Sequence, residues 1–174
     1  MNFNDISADL LSTEPSLPAK EVPIEELVGQ VYESAQPVVR SRMLAQLVSK
    51  VYETAPATLR GRLLEQLLRP LGVLSLVAVA NGVFAKILFR SGWPNIHVQL
   101  EELQNVRASD VIELVDHVQQ VSVEALDGLA QLLGASPFMA SSAAAAVLVT
   151  LLVKRARTRR ASDREGDGLS LEPI

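Results

Sequence analysis

The chain has 174 residues, of which 48% are hydrophobic but only 4% aromatic, and this Ala-, Leu- and Val-rich composition predicts an all-α fold. The net charge of -4 excludes nucleic-acid binding driven by overall positive charge. The chain contains no cysteine, which excludes disulfide frameworks, thiol nucleophiles and cysteine-based zinc sites.

Residues 1–22 form an acidic stretch interrupted by Pro15 and Pro18, and this pattern predicts a disordered N-terminal lead-in. The stretch has neither a basic start nor a long apolar run, so we predict that it is not a signal peptide.

Residues 23–70 carry an internal repeat with a period of about 20 residues. The first copy, residues 27–46, reads LVGQVYESAQPVVRSRMLAQ, and the second, residues 47–66, reads LVSKVYETAPATLRGRLLEQ. A third, decayed copy begins at Leu67 with LLRPL. Shared residues include Val31 and Val51.

Apolar residues recur in this region at helical spacing, which predicts amphipathic helices near residues 23–34, 38–53 and 57–69. Ser34 and Thr54 are expected to cap the second and third helices, with a proline in the first turn of each. Each helix then needs a neighbour to cover its apolar stripe.

The repeat also presents paired polar and aromatic residues as candidates for an interaction face. The candidates are Arg40, Arg42, Arg60, Arg62, Tyr32 and Tyr52. The arginines suit either a solvated helix face that balances nearby glutamates or a basic face that contacts acidic lipid or an acidic partner. The tyrosines suit packing with a hydrated hydroxyl.

Residues 71–90 are predicted to form a hydrophobic helix, nearly as long as a bilayer span requires. Lys86 lies near its end, where a lysine can extend to the membrane interface. The same all-round hydrophobicity suits a core helix surrounded by the repeats, so membrane and core remain alternatives.

Residues 91–134 are acidic and are expected to form short amphipathic helices that begin after Ser109 and Ser122. The two histidines of the chain, His97 and His117, lie here without the spacing of a metal site. We therefore predict no metal and no cofactor.

Residues 135–157 are predicted to form a C-terminal hydrophobic helix with a basic end, followed by a disordered tail over residues 158–174. The basic end is Lys154, Arg155, Arg157, Arg159 and Arg160. These five residues are the candidates for contact with anionic lipid, because cationic clusters mark the cytoplasmic ends of membrane spans. A core helix with a solvated basic end and a helix lying on a lipid surface are the alternatives.

The sequence therefore predicts an all-α chain of about six to seven helices that combines the repeat with two hydrophobic helices. No catalytic motif is found, and we predict a non-enzymatic, membrane-associated protein with both termini in the cytoplasm. It would scaffold, localise or regulate a protein partner at a membrane or a lipid or granule surface. The alternative is a soluble cytoplasmic adaptor that binds a protein partner through the repeat helices. Homo-oligomerisation stays open, and nucleic acid is not expected as a partner.

Overall fold

The chain is helical throughout the part that the computed structural model describes, which is residues 22–92, 95–122 and 124–166. This part contains eight α-helices, three 3-10 helices and no strand, so the predicted all-α fold is confirmed, with more helices than expected. The α-helices are α1 (Ile24–Ser34), α2 (Pro37–Thr54), α3 (Ala57–Leu68), α4 (Val83–Ser91), α5 (Leu100–Leu103), α6 (Ala108–Val121), α7 (Glu124–Gly134) and α8 (Ala143–Gly166). The 3-10 helices are Val73–Leu76, Val79–Gly82 and Pro137–Ser141.

Helices α1 to α3 follow the repeat, but their caps differ from the prediction. Ser34 and Thr54 are the last residues of α1 and α2, so the prediction that they cap the following helices is wrong. Their hydroxyls donate instead to carbonyl oxygens of their own helices, Ser34 to Val31 and Thr54 to Lys50, each over 3.0 Å. Pro37 still begins α2, where its missing N–H removes no bond from the first turn, and Pro56 is the residue just before α3.

Helix α2 is the centre of the core, because α1, α3, α6 and α8 all pack against it. Two side-chain hydrogen bonds fix the direction of α6 beside it. Ser49 donates to the carbonyl of Ala108 over 2.8 Å, and Gln119 donates to the carbonyl of Ser41 over 3.1 Å. These pairs run in opposite order along the two helices, so α2 and α6 are antiparallel.

The single hydrophobic helix predicted over residues 71–90 is not present, which corrects that prediction. The segment forms two 3-10 helices and then α4. The break lies at Ala80, Asn81 and Gly82, whose φ angles of 46°, 54° and 74° are left-handed. Asn and Gly adopt this conformation at low cost, and the amide of Ala80 donates to the Glu113 carboxylate of α6 over 2.8 Å. The left-handed turn and the hydrogen bond to the α6 carboxylate therefore interrupt a segment whose sequence is continuously apolar.

The apolar run near the C-terminus lies in α8, which packs on α1, α2 and α7. Its inward residues are buried in the core shared with those helices: Ala145, Val147, Leu148, Leu151 and Leu152. The helix continues to Gly166, so the prediction that the tail begins at residue 158 is corrected. Residues 167–174 of that tail and residues 1–21 of the predicted lead-in lie outside the described residues.

Among the described helices, none combines the length and the apolar character that crossing a membrane requires.

Candidate functional site

The repeated arginines Arg40 and Arg60 perform the same structural task. Arg40 Nε donates to the carbonyl of Ala35 over 2.7 Å, and Arg60 Nε donates to the carbonyl of Ala55 over 2.8 Å. In each case the acceptor is the residue just after the preceding helix, so the arginine closes the sharp turn between two helices. This contact gives the repeat of the arginine a structural cause that sequence spacing did not reveal.

The repeated tyrosines Tyr32 and Tyr52 are both buried in the core. Burial raises the pKa of each hydroxyl above its ordinary value, against a smaller opposing effect of neighbouring arginines. The guanidinium carbon of Arg60 lies 5.7 Å from the centroid of the Tyr52 ring, within the range of a cation–π contact. The tyrosines therefore pack inside the fold.

Arg42 and Arg62, the second arginine of each copy, are exposed. Arg42 is near Asp116 of α6: burial raises the pKa of that carboxyl, and the charge of Arg42 opposes the rise. Arg62 lines a hollow between α3, the end of α7 and the 3-10 helix Pro137–Ser141, together with Leu132 and Phe138. The structure thus does not gather the four repeat arginines into one basic face.

The basic end of α8 is partly engaged within the molecule. Lys154 pairs with Glu33 of α1 over 3.0 Å, and Arg159 pairs with Asp127 of α7 over 2.5 Å. Arg155 donates to the side chain of Gln119 over 3.4 Å. The two remaining candidates, Arg157 and Arg160, are exposed. The contact of these five residues with anionic lipid stays a prediction.

One hollow is lined by candidate residues from the repeat and from the basic end of α8. It lies where α1, α2 and α8 meet and is lined by Tyr32, Glu33, Pro37, Arg40, Ser41, Lys154, Arg155, Thr158 and Arg159. Gly29 leaves space for the Lys154 side chain, because a Cβ there would lie 3.0 Å from the Lys154 ammonium nitrogen. Four cationic side chains and one carboxylate give this hollow a net positive charge, which suits an anionic group.

Sequence reasoning missed an exposed apolar stripe on α1, formed by Ile24, Leu27 and Val31. These side chains are 65%, 48% and 58% exposed. Their spacing of three and four residues places them on one face of the helix. Since Lys154 and Tyr32 hold the other side of α1 against α8 and the core, this face is left facing outward.

The positions that follow this stripe by one and two repeat periods are covered. One repeat period after the stripe, Leu44 and Val51 are 0% exposed, and Leu47 packs partly buried against the core. Two repeat periods after the stripe, Leu64 and Leu67 are fully buried, and Leu71 is 2% exposed. The sequence is apolar at all three sets of positions, so it did not indicate which set would lack a neighbouring helix.

The histidines do not form a metal site with the acids of the described residues, where no cluster of three or more His, Asp or Glu could hold an ion. His97 lies 3.2 Å from the carboxylate of Glu65, and His117 is half-buried in α6.

Comparison with known proteins gave no match to a protein family model, and no significant match to a curated protein or a solved structure.

Proposed function

We propose that this protein is a non-enzymatic helical adaptor whose α1 stripe binds an amphipathic helix of a partner protein. The observation that supports the proposal is the contrast in burial at sequence-equivalent positions. Apolar side chains one and two repeat periods after the α1 stripe are covered, whereas those of the stripe itself are exposed. A helix that packs on Ile24, Leu27 and Val31 would cover them as their equivalents are covered within the chain.

The spacing of the stripe suits a helical ligand. Helix-in-groove recognition uses apolar anchors at i, i+3 or i+4, and i+7, and Ile24, Leu27 and Val31 have this spacing. An isolated exposed Leu would need no explanation, but three on one helical face form a patch.

Charge defines the kind of helix that fits. Helix α1 carries Glu25, Glu26 and Glu33 and no basic residue. Lys154 already neutralises Glu33, which leaves the first turn acidic beside the stripe. A partner helix with lysines or arginines beside its apolar residues therefore complements α1, and opposite charges across an interface favour the correct register.

A second copy of this chain is a poorer occupant. Two α1 helices packed on each other would place the glutamates of both against an equally acidic helix, and juxtaposed like charges oppose association. Homo-oligomerisation through this face is therefore an outcome that the experiment must separate from partner binding.

The test uses a dye-labelled model peptide of about 18 residues with leucine on one helical face and lysine elsewhere, and a twin with glutamate in place of lysine. Fluorescence anisotropy measures binding of each to the full chain. We expect the lysine peptide to bind, and the triple variant Ile24→Ser, Leu27→Ser, Val31→Ser to bind at least about tenfold more weakly. The glutamate twin should bind more weakly than the lysine peptide.

A matched control separates apolar recognition from the general attraction of a basic peptide to a chain of net charge -4. The variant Leu74→Ser, Val77→Ser, Phe89→Ser removes three other exposed apolar side chains and should leave the affinity unchanged. Equal affinities for wild type and the α1 variant would refute the proposal. A dimer in sedimentation that the α1 variant dissociates would assign the stripe to a second copy instead.

A further inference from the structure

We propose that a second surface of the molecule, on α4 and around the 3-10 helix Val73–Leu76, docks on an anionic phospholipid bilayer. We name it the cationic apolar face. Its residues are Leu74, Val77, Lys86, Phe89 and Arg90. The inference is independent of the proposed adaptor function, since none of these residues belongs to the α1 stripe.

The apolar members of this face project into solvent. Leu74 is 90% exposed, Phe89 is 81% exposed and Val77 is 58% exposed. The neighbouring apolar residues of α4 behave in the opposite way, because Phe84, Ile87 and Leu88 are buried in the core. The segment therefore has one apolar side that completes the core and further apolar residues that nothing in the described chain covers.

Helical spacing groups the exposed residues within each of the two elements. Lys86 lies three residues before Phe89 and four before Arg90 in α4, so it is a neighbour of both on one side of the helix. Leu74 and Val77 are three residues apart at the 3-10 helix Val73–Leu76, where that spacing aligns side chains. The two elements pack directly on each other.

The charge of the segment selects an anionic partner. No Asp or Glu occurs from residue 66 to residue 100, whereas the whole chain is acidic. The basic residues of that segment, Arg69, Lys86 and Arg90, are all exposed. A carboxylate outside it, that of Glu102, lines a hollow with Lys86 and Arg90, but it is buried and accepts the backbone amide of Gln99 over 3.0 Å.

The arrangement fits a bilayer better than a partner helix. The exposed side of α4 offers one apolar residue, Phe89, beside Lys86, whereas a helix-binding stripe repeats apolar residues along one face as α1 does. At a bilayer, single projecting apolar side chains enter the boundary between headgroups and acyl chains. Lysine and arginine meanwhile remain at the phosphate level, with their stems on apolar surface. Weak apolar insertion and basic attraction are the two signals that together hold a peripheral protein.

The test measures co-flotation of the full chain with phosphatidylcholine vesicles that contain about 30 mol% phosphatidylglycerol, and with pure phosphatidylcholine vesicles. We expect partition to the anionic vesicles that falls steeply when the salt is raised from about 0.1 M to about 1 M. The variant Lys86→Gln, Arg90→Gln should bind about 25-fold more weakly, at about fivefold for each cation. The variant Leu74→Ser, Phe89→Ser should lose at least about tenfold.

Two matched variants serve as controls, and both should float as wild type does. Leu27→Ser, Val31→Ser removes the same number of exposed apolar side chains from α1, and Arg157→Gln, Arg160→Gln removes two exposed cations from α8. Absence of partition to anionic vesicles, or equal partition of wild type and the α4 variants, would overturn the inference. If instead only the α8 variant is released, the lipid contact lies at the basic end of α8. If the face binds soluble poly-glutamate and no vesicles, its partner is an acidic protein.

Discussion

At the scale of single residues, the repeated arginine shows why spacing alone did not reveal its role. The spacing of Arg40 and Arg60 matches a basic interaction face as well as it matches a structural contact. The structure distinguishes the two, because each Nε donates to a carbonyl at a helix end. Helix ends leave carbonyls without intrahelical partners, and a guanidinium that reaches back across the turn satisfies one of them.

We predict that Arg60→Met destabilises the fold by about 1 to 2 kcal/mol, because it keeps the apolar stem but removes a charged donor from the Ala55 carbonyl and the contact with Tyr52. Urea unfolding of the purified chain measures the change. Arg62→Met is the matched control, since Arg62 is exposed and makes no hydrogen bond to a described residue, and it should change stability by less than about 0.5 kcal/mol. Equal losses in both variants would show that the turn contact contributes nothing specific.

The tyrosines provide a prediction for alkaline pH. Burial raises the pKa of Tyr32 and Tyr52 above the usual 10.0, so the folded chain retains protons that the unfolded chain loses. Stability is therefore complete below pH 10 and falls as the pH rises above it. Absorbance at 295 nm should titrate above pH 10 in the native chain and move down to that value in denaturant. A native titration at or below pH 10 would contradict the burial.

The hydroxyl of Tyr52 provides a separate prediction, because this buried oxygen has no hydrogen-bond partner among the described residues. Tyr52→Phe removes an unsatisfied polar atom and keeps the ring beside Arg60. We expect the free energy of unfolding to stay within about 0.5 kcal/mol of wild type or to rise. A loss above about 1 kcal/mol in urea unfolding would indicate that the hydroxyl is bonded.

At the scale of helices, the sequence predicted the positions of most helices. It failed where the same apolar segment is compatible with two different structures. The helical spacing of the apolar residues in 23–70 predicted the bounds of α1 to α3 closely. Hydropathy could not divide residues 71–90, since the break depends on a left-handed turn and on Glu113 from a distant helix. It also could not decide whether the apolar half of α8 faces lipid or other helices, because the same side chains suit both.

Helix α8 provides the direct check on its packing. We predict that Leu148→Ala destabilises the chain by about 2 to 5 kcal/mol, because Leu148 is fully buried and its removal leaves a cavity. The control Val153→Ala lies on the exposed side of the same helix and should cost less than about 1 kcal/mol. Thermal or urea unfolding without detergent measures both. Similar small effects of the two changes would mean that this side of α8 does not pack on the core.

At the scale of the whole molecule, most apolar residues form a continuous core, and exposed ones form the α1 stripe and the cationic apolar face. The core unites the later repeat copies with α6, α7 and α8. The α1 stripe is flanked by acids, and the cationic apolar face is flanked by bases. An adaptor with two surfaces of opposite charge could hold a basic partner helix on one and an anionic bilayer on the other. Composition predicted the high apolar content, but only the tertiary structure shows which apolar residues remain exposed.

The central claim is that the same residue type, at equivalent positions of the repeat, lies in opposite environments at Val31 and Val51. The absence of cysteine permits a direct measurement with single variants Val31→Cys and Val51→Cys, a mild change because cysteine behaves as a small apolar residue. We would measure the rate of maleimide labelling of each native chain. Val31→Cys should react at nearly the rate of the unfolded chain, and Val51→Cys at least about 100-fold more slowly, because labelling there requires the fold to open. Rates within about threefold of each other would contradict the account, because α1 would then present no exposed equivalent of the core stripe.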